Sequence, residues 1–172
     1  AMATGFASPD GFLTERCVSY WLERARGGAG LIIVEPVAVS PDGRATRNTP
    51  LFDDDRYVAM HSRLCDLLHA EGAMVFVQLL HAGRKTSAHI IDATPVAPSP
   101  LSDPDFGEAP IELATEHIDA ILQAFVETAL RARAAGYDGV ELLASAGYLI
   151  NEFLSAESNH RTDEWGGDIE RR

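Results

Sequence analysis

A tyrosine preceded by a glycine lies just past the last apolar run of the chain, and a dense polar segment follows it. The stretch VELLASAGYLINEFLSAESNHRTDEWGGD runs from Val140 to Asp168. A phenol has a pKa of about 10, below that of water, so Tyr148 can donate a proton to a strongly basic carbon or oxygen. Alternatively, its ring packs into the fold with the hydroxyl group hydrogen-bonded. The residue type alone leaves both interpretations open.

A second group of polar side chains follows the apolar run AMVFVQLL, in the sequence QLLHAGRKT. Gln78 offers a paired donor and acceptor, which suits the edge of a heterocycle carrying both a carbonyl group and a ring nitrogen. Taken singly, such a glutamine is more often a polar strand end. His81 and Arg84 either face a substrate or cofactor or pack against an adjacent loop.

The polar residues after Tyr148 predict a scaffold rather than a set of reacting groups. Arg161 and Asp163 can form a charge-assisted pair that orders the loop, and Trp165 can pack it down. The two glycines that follow allow a tight approach of the backbone, and Asp168 can cap a following helix. We therefore expect this segment to fix the direction in which the tyrosine points.

Three units of helix, glycine and strand are predicted to position these side chains. Apolar residues recur at helical spacing over residues 14–26, 54–71 and 115–135, and a glycine follows each stretch. Each helix precedes a run that is largely apolar, namely GLIIVEPVAV, AMVFVQLL and GVELLA. Apolar strands separated by helices predict a parallel sheet that is covered on both faces.

Two α/β architectures are consistent with this order, a doubly wound sheet and a (β/α)8 barrel. A dinucleotide-binding sheet needs GxGxxG after a strand and at the start of a helix, whereas GGAG here follows a helix and precedes a strand. A barrel brings the carboxyl ends of its strands to one mouth, where residues distant in sequence become neighbours. The irregular segment 88–110 follows such an end, which predicts an active-site loop, with a solvated linker as the alternative.

Composition limits the partners of the chain. Hydrophobic residues make up 46% of the 172 residues, enough for one sizeable core, and the formal charge of −12 argues against nucleic acid and anionic membranes. There is no long apolar run and no signal pattern. Cys17 and Cys65 lie far apart and predict buried free thiols in a reducing cytoplasm. The histidines other than His81 show no metal-ligand spacing, so no metal is expected.

Three stretches together resemble a known family. AMATG, QLLHAGR and AAGYDGVELLASAGYLINEFLSAESNHRTDEWGGD are similar to the Old Yellow Enzyme family of flavin-dependent ene reductases, above all to the branch that includes bacterial 2,4-dienoyl-CoA reductase. Residues from Asn159 to Gly167 match the family pattern N-x-R-T-D-x-[YW]-G-G. The resemblance implies FMN in the mouth of a (β/α)8 TIM barrel. It also implies transfer of a hydride from NADH or NADPH to the flavin, and then to an activated C=C bond.

The resemblance further implies roles for individual residues. The cofactor-binding positions would be Ala1, Met2, Ala3, Thr4, Pro36 and Gln78. The first three would line the flavin through their backbone, Thr4 would place its hydroxyl beside flavin O4, and Pro36 would abut the ring. Gln78 would bond the pyrimidine edge, where hydrogen bonds stabilise negative charge on the reduced flavin. Tyr148 would be the catalytic proton donor to the α carbon once the hydride has reached the β carbon.

Two positions depart from the family pattern. Many members carry a histidine and an asparagine or second histidine that hold the carbonyl oxygen of the substrate, and here these positions are Leu143 and Ala146. Neither side chain can donate a hydrogen bond. The dienoyl-CoA branch also lacks the histidine pair, which favours a thioester substrate. The predicted substrate-binding positions are His81, Arg84, Leu143 and Ala146.

We expect residues 1–172 to form one incomplete domain, the N-terminal half of the barrel from the end of strand one through strand four. One alternative function is that of an amine-oxidising relative of trimethylamine dehydrogenase, with a 4Fe-4S cluster in a C-terminal part beyond this chain. Another is a non-catalytic half-barrel, which the loss of the carbonyl-binding pair favours. The expected partner is a small-molecule substrate. A homo-oligomer is an open alternative, because a half-sheet exposes two strand edges.

Overall fold

Helices and strands alternate along the chain, as the apolar pattern predicts. A computed structural model describes residues 1–170. Its elements are α1 (Glu15–Arg26), β1 (Leu31–Ala38), α2 (Val58–Ala70), β2 (Met74–Leu80), α3 (Ala88–Ile91), β3 (Val96–Ala97), β4 (Ile111–Glu112), α4 (Thr115–Ala134), β5 (Gly139–Leu142) and α5 (Leu149–Leu154), with 3-10 turns at Pro41–Gly43 and Asp55–Tyr57. The three predicted helices and three predicted strands are confirmed. The first residues, predicted as a strand end, form no strand within the described part.

Helix boundaries follow from local side-chain chemistry. Thr14 caps α1 by accepting a hydrogen bond from the Cys17 backbone N–H, with Glu15 in the first turn and Arg24 and Arg26 in the last. Asp54 caps the 3-10 turn that precedes α2 in the same way, because its carboxylate accepts from the Arg56 N–H. The helix predicted after Asp168 would extend into residues 171–172, which lie outside the described residues.

The main sheet is parallel and has the strand order β1-β2-β5. β1 pairs with β2 from Leu31 opposite Met74, and β2 pairs with β5 from Phe76 opposite Gly139. The long segment after β2 contributes a separate parallel pair, β3 with β4. Successive parallel strands joined by helices agree with the half-barrel prediction.

The two faces of the sheet carry different side chains because residues alternate along a strand. Val34, Val75 and Val77 are fully buried in the core formed with α1, α2 and α4. The opposite face bears polar side chains towards the carboxyl ends, including Glu35 and Gln78, which are both buried. The sequence therefore directs an apolar layer to the helices and places polar side chains at the carboxyl end of the inner face.

A bulge in β1 shapes the carboxyl edge of the sheet. The register with β2 shifts between Val34 and Val37, so that Glu35 and Pro36 together face the position of Gln78. Proline has no backbone N–H and is tolerated in strands at bulges, where no ladder donor is required. The bulge bends the strand and re-aims the two side chains at this edge.

A polar pair lies inside the core. The ring of His61 stacks on Phe52 at 3.9 Å between centroids, and its Nδ1 lies 2.7 Å from the Tyr137 hydroxyl. Burial lowers the pKa of His61 to about 3 and raises that of Tyr137 well above its usual value, so both groups are neutral. The hydrogen bond joins α2 to the turn before β5, and it offsets the cost of burying two polar groups.

Cys17 and Cys65 are buried free thiols, as predicted. Burial raises the pKa of Cys65 to about 12, which keeps this thiol protonated and unreactive. Among the residues described, no helix combines the length and apolar character required to cross a lipid bilayer.

Tyr137→Phe should destabilise the protein by about 1–3 kcal/mol, because the His61 ring would remain buried without its partner. The measurement is the free energy of unfolding in urea. Tyr20→Phe on the outer helix α1 is the matched control, since it removes the same hydroxyl from a half-buried position. Equal stability of the two variants would contradict a stabilising role for the buried pair.

Candidate active site

The carboxyl ends of the three main strands bring the predicted flavin-edge residues together. Gln78 is buried, lies opposite the bulge at Pro36, and pairs in register with Glu141 on β5. Just beyond the strands, the backbone N–H of Leu143 donates to the carbonyl of Leu79 at 3.0 Å. Residues from three separate strands therefore share one edge, as a barrel mouth requires.

The N-terminal segment joins this edge through a buried carboxylate. Thr4 donates its backbone N–H to Glu35 at 2.9 Å and its hydroxyl to the same carboxylate at 2.7 Å. Glu35 is fully buried, and such charge-assisted bonds are stronger than neutral ones. Glu35 was not among the predicted site residues, although a carboxylate within the apolar strand sequence LIIVEPVA could have indicated it.

The exposed residues Ala1, Met2 and Ala3 extend from this anchor, so their backbone groups are accessible. The Thr4 hydroxyl oxygen accepts from the Phe6 N–H at 3.2 Å, and its proton is directed to Glu35. The contact with Glu35 therefore uses the donor that the sequence analysis assigned to flavin O4. That assignment stays a prediction, and an anchoring role for Thr4 is what the contacts support.

Tyr148 stands at the entrance of α5. It is the N-cap residue of this helix, and the first helical residue, Leu149, donates its N–H to the carbonyl of His81 at 3.1 Å. The turn after β2 and the start of α5 are thereby joined directly. Tyr148 is half-buried and is placed next to the turn that follows Gln78.

A buried carboxyl group strengthens the same junction. Glu152, one turn into α5, accepts the Arg84 N–H at 3.0 Å, and its other oxygen is buried without a hydrogen-bond partner. Gly83 has a φ of +61°, and a Cβ there would lie 2.5 Å from both carboxyl oxygens. Burial raises the pKa of Glu152 to about 8, although the Arg84 N–H acts in the opposite direction. Glu152 was not predicted as a site residue, because it becomes buried only when α5 packs on this turn.

Glu152→Gln should remove a pH dependence of stability. The folded protein holds the Glu152 proton up to a pKa of about 8, whereas the unfolded chain releases it near the ordinary value of 4.5. The carboxyl group therefore contributes less stability as the pH rises through this window, with a limiting slope of about 1.4 kcal/mol per pH unit. The amide keeps an acceptor for the Arg84 N–H and does not ionise.

Urea unfolding of the wild type and the variant between pH 5 and pH 9 measures the difference. Glu157→Gln, an exposed carboxylate in the segment after α5, is the matched control and should leave the slope unchanged. A wild-type profile parallel to that of Glu152→Gln would refute the buried neutral carboxyl.

The contacts of His81 and Arg84 support packing against neighbouring loops, and substrate binding by these two residues stays a prediction. The His81 side chain is fully buried, accepts the Gly83 N–H at Nδ1, and packs on the turn containing Asp42 and Gly43. The His81 ring lowers the pKa of Asp42 to about 2. The Arg84 guanidinium donates to the carbonyl of Leu101 at 2.9 Å. Both side chains hold loops together, which was the alternative interpretation.

Leu143 and Ala146 lie in the loop between β5 and α5, next to Tyr148 in sequence. Ala146 is exposed and adopts a φ of +59°, a conformation that is uncommon for residues other than glycine and asparagine. The following glycine also has a positive φ, of +79°. The loop therefore turns sharply just before the tyrosine and offers no side-chain donor from these two positions.

The polar patch after α5 is a scaffold, as predicted. Arg161 forms an ion pair with Asp163 and donates to the carbonyls of Leu113 and Pro98 at 2.6 and 3.2 Å. Asn159 donates to the carbonyls of Phe153 and Trp165. These bonds fasten the end of the chain to α5 and to the segment before α4.

The donor set at the strand ends fits the edge of a flavin. The buried Gln78 amide supplies one donor and one acceptor on the inner face, and a buried oxygen of its neighbour Glu141 has no hydrogen-bond partner. Pro36 is small and has no N–H, so it can abut a planar ring. A flavin carries alternating carbonyl and N–H groups along its pyrimidine edge, which such an amide matches.

A parallel sheet with helices on its outer face and polar side chains at its carboxyl edge is the arrangement of a half-barrel, in which the ligand site lies at the mouth. All of residues 1–172 match the model of the NADH:flavin oxidoreductase / NADH oxidase family. The chain belongs to this family.

Individual relatives agree with this assignment. The chain is 44% identical over 173 residues to an NADH oxidase of Thermoanaerobacter brockii, covering 99% of this chain and 27% of that protein. It superposes with a TM-score of 0.91 on the old yellow enzyme homologue from Zymomonas mobilis, at 32% identity, covering 97% of this chain and 49% of that one. A 2-naphthoyl-CoA reductase, solved with 2-naphthoyl-CoA, gives a TM-score of 0.94 at 31% identity, covering 99% and 28%.

These superpositions confirm the predicted half-barrel. The chain spans about half the length of the Zymomonas mobilis protein and about a quarter of the Thermoanaerobacter brockii enzyme.

Proposed function

We propose that the protein carrying this chain is an FMN-dependent oxidoreductase that passes a hydride from NADH or NADPH to an activated C=C bond. The observation that carries the proposal is the shared strand edge, where Thr4, Pro36 and Gln78 meet beside the loop that leads to Tyr148. Family membership and the NADH oxidase relative support it.

Bound FMN would supply the two-electron carrier. Gln78 would hold its pyrimidine edge through the side-chain amide, Pro36 would pack on the ring, and the exposed backbone of residues 1–3 would cover it. Glu35 would keep this N-terminal segment in place through its two bonds to Thr4. Buried side chains cannot relax as water does, so these contacts are oriented before the cofactor arrives.

Tyr148 would complete the reduction. Once a hydride has been added to the β carbon, the α carbon needs a proton, and a phenol at the rim is a suitable donor. The N-cap position fixes the backbone of Tyr148, while α5 is held by His81 and Glu152. The side chain would then deliver its proton from one direction only.

The substrate class is a conjugated carbonyl compound, either an enone or an enoyl or dienoyl thioester. Leu143 and Ala146 leave this site without the usual carbonyl-binding pair, as in the dienoyl-CoA branch. The structural neighbour solved with 2-naphthoyl-CoA, a thioester, supports the thioester alternative.

The first test uses the full-length protein purified with added FMN. We expect a yellow protein whose flavin survives desalting, is bleached by NADH or NADPH, and is reoxidised by crotonyl-CoA or 2-cyclohexenone. Failure to retain flavin would reject the enzyme and favour a non-catalytic half-barrel. Reduction of the oxidised flavin by trimethylamine, without reoxidation of the reduced flavin by crotonyl-CoA or 2-cyclohexenone, would favour the amine-oxidising alternative.

Tyr148→Phe should slow the oxidative half-reaction by about 10²–10⁴-fold, the range for loss of a positioned general acid. Reduction of the flavin by NADH should stay within twofold of the wild type, because that step needs no proton from this side chain. Stopped-flow absorbance of the flavin separates the two half-reactions, and Tyr20→Phe serves as control. Equal slowing of both half-reactions would remove the donor role of Tyr148.

Ala146→Asn should restore part of the missing carbonyl binding. Asparagine tolerates the positive φ of this residue, so the free energy of unfolding should change by less than about 0.5 kcal/mol. A neutral hydrogen bond is worth about 0.5–1.5 kcal/mol, which corresponds to a rise of about 2- to 10-fold in kcat/KM for 2-cyclohexenone. Ala146→Asp has the same size, also tolerates the positive φ and carries no donor when ionised, and an equal gain in that variant would contradict the interpretation.

A further inference from the structure

Lys85 is the only lysine among the 172 residues, in a chain that otherwise uses arginine for every basic side chain. It follows the turn after β2, where its backbone N–H donates to the carbonyl of Ala82 at 3.1 Å. The side chain has a relative exposure of 25%. Its backbone is therefore fixed at the carboxyl edge of the sheet, and its side chain is partly exposed.

The lysine side chain crosses the loop that leads to Tyr148. A Cβ at Gly147 would lie 3.0 Å from Lys85 Cδ and 3.6 Å from Nζ. The ammonium group is thus in contact range of the residue directly before the tyrosine. Ala146, one of the two positions that lack a hydrogen-bond donor, is the neighbour on the other side of this glycine.

The ammonium group keeps its donors available. The nearest carboxylate oxygens belong to Asp103 at 4.0 Å and Asp105 at 3.8 Å. Both distances exceed the 2.7–3.2 Å of an N–H···O hydrogen bond by a wide margin. The two aspartates therefore form loose ion pairs with the ammonium group, and neither carboxylate is within hydrogen-bond distance of it.

We propose that Lys85 binds the carbonyl oxygen of the substrate, in the place of the histidine and asparagine that Leu143 and Ala146 replace. This inference rests on the proposed function and deepens it. Addition of a hydride to the β carbon moves the π electrons towards the carbonyl oxygen, and the Tyr148 proton then forms the new bond at the α carbon. The ammonium group stabilises the negative oxygen between these events and retains its own protons.

The opposing interpretation is that Lys85 only ties the loop containing Asp103 and Asp105 to α5. The two interpretations differ in what the aspartates do. If Lys85 only joins this loop to α5, loss of Asp105 should weaken that attachment as loss of the lysine does. In carbonyl binding, loss of Asp105 leaves the ammonium group in place, because the Gly147 contact still positions it.

The experiment uses the full-length flavoprotein with Lys85→Met, Lys85→Arg and Asp105→Asn. Arg63→Met is the matched control, since it removes one positive charge from an exposed ion pair with Glu15 on the outer helices. Stopped-flow absorbance follows flavin reduction by NADH and reoxidation by 2-cyclohexenone and crotonyl-CoA. Perturbation of the flavin spectrum by cyclohexanone, an unreactive analogue, measures carbonyl binding without turnover.

We expect Lys85→Met to lower kcat/KM of reoxidation by 10- to 100-fold and to weaken cyclohexanone binding, with flavin reduction within twofold of the wild type. Lys85→Arg should recover part of the loss, while Asp105→Asn and Arg63→Met should behave as the wild type. Unchanged reoxidation in Lys85→Met, or an equal loss in Asp105→Asn, would overturn the role of Lys85. A wild-type protein that neither NADH nor NADPH reduces would overturn the proposed function itself.

Discussion

The docking of helix α5 onto the turn after strand β2 is the contact on which the site depends. Leu149 donates its N–H to the carbonyl of His81, and Arg84 donates its N–H to the buried carboxyl group of Glu152. Because Tyr148 directly precedes the helix, the docking determines the position of the Tyr148 backbone, from which the phenol side chain extends. The same contact brings the end of the turn against the loop before the tyrosine. Two segments 68 residues apart in sequence thereby form one rim.

Two buried carboxyl groups serve this rim. Glu35 accepts two hydrogen bonds from Thr4, which offset the cost of burying a polar group and attach the N-terminal segment to β1. Glu152 receives one backbone hydrogen bond and keeps an unpartnered oxygen, so burial favours its protonated form. Both groups position the chain, and neither is required to react.

The division of labour in the motif follows from these contacts. Arg161 and Asn159 donate to backbone carbonyls, and Asp163 accepts a hydrogen bond from Arg161. These residues therefore support the loop. The loop between β5 and α5 carries the departures from the family pattern, at Leu143 and Ala146. In barrel enzymes generally, the loops at the mouth vary and change substrate recognition, whereas the barrel scaffold stays constant.

Apolar periodicity determined the helices, the parallel strands and the half-barrel, because burial of one helix face and of both strand faces leaves a pattern in the chain itself. The long motif likewise predicted the scaffold contacts of Arg161 and Asp163, and the proton-donor role of Tyr148 stays a prediction. Only the tertiary structure decided which polar residues face the mouth. His81 and Arg84 turned to neighbouring loops, while Glu35 and Glu152 became buried anchors. The direction of a side chain after a turn depends on contacts with segments distant in sequence, and no local pattern encodes those contacts.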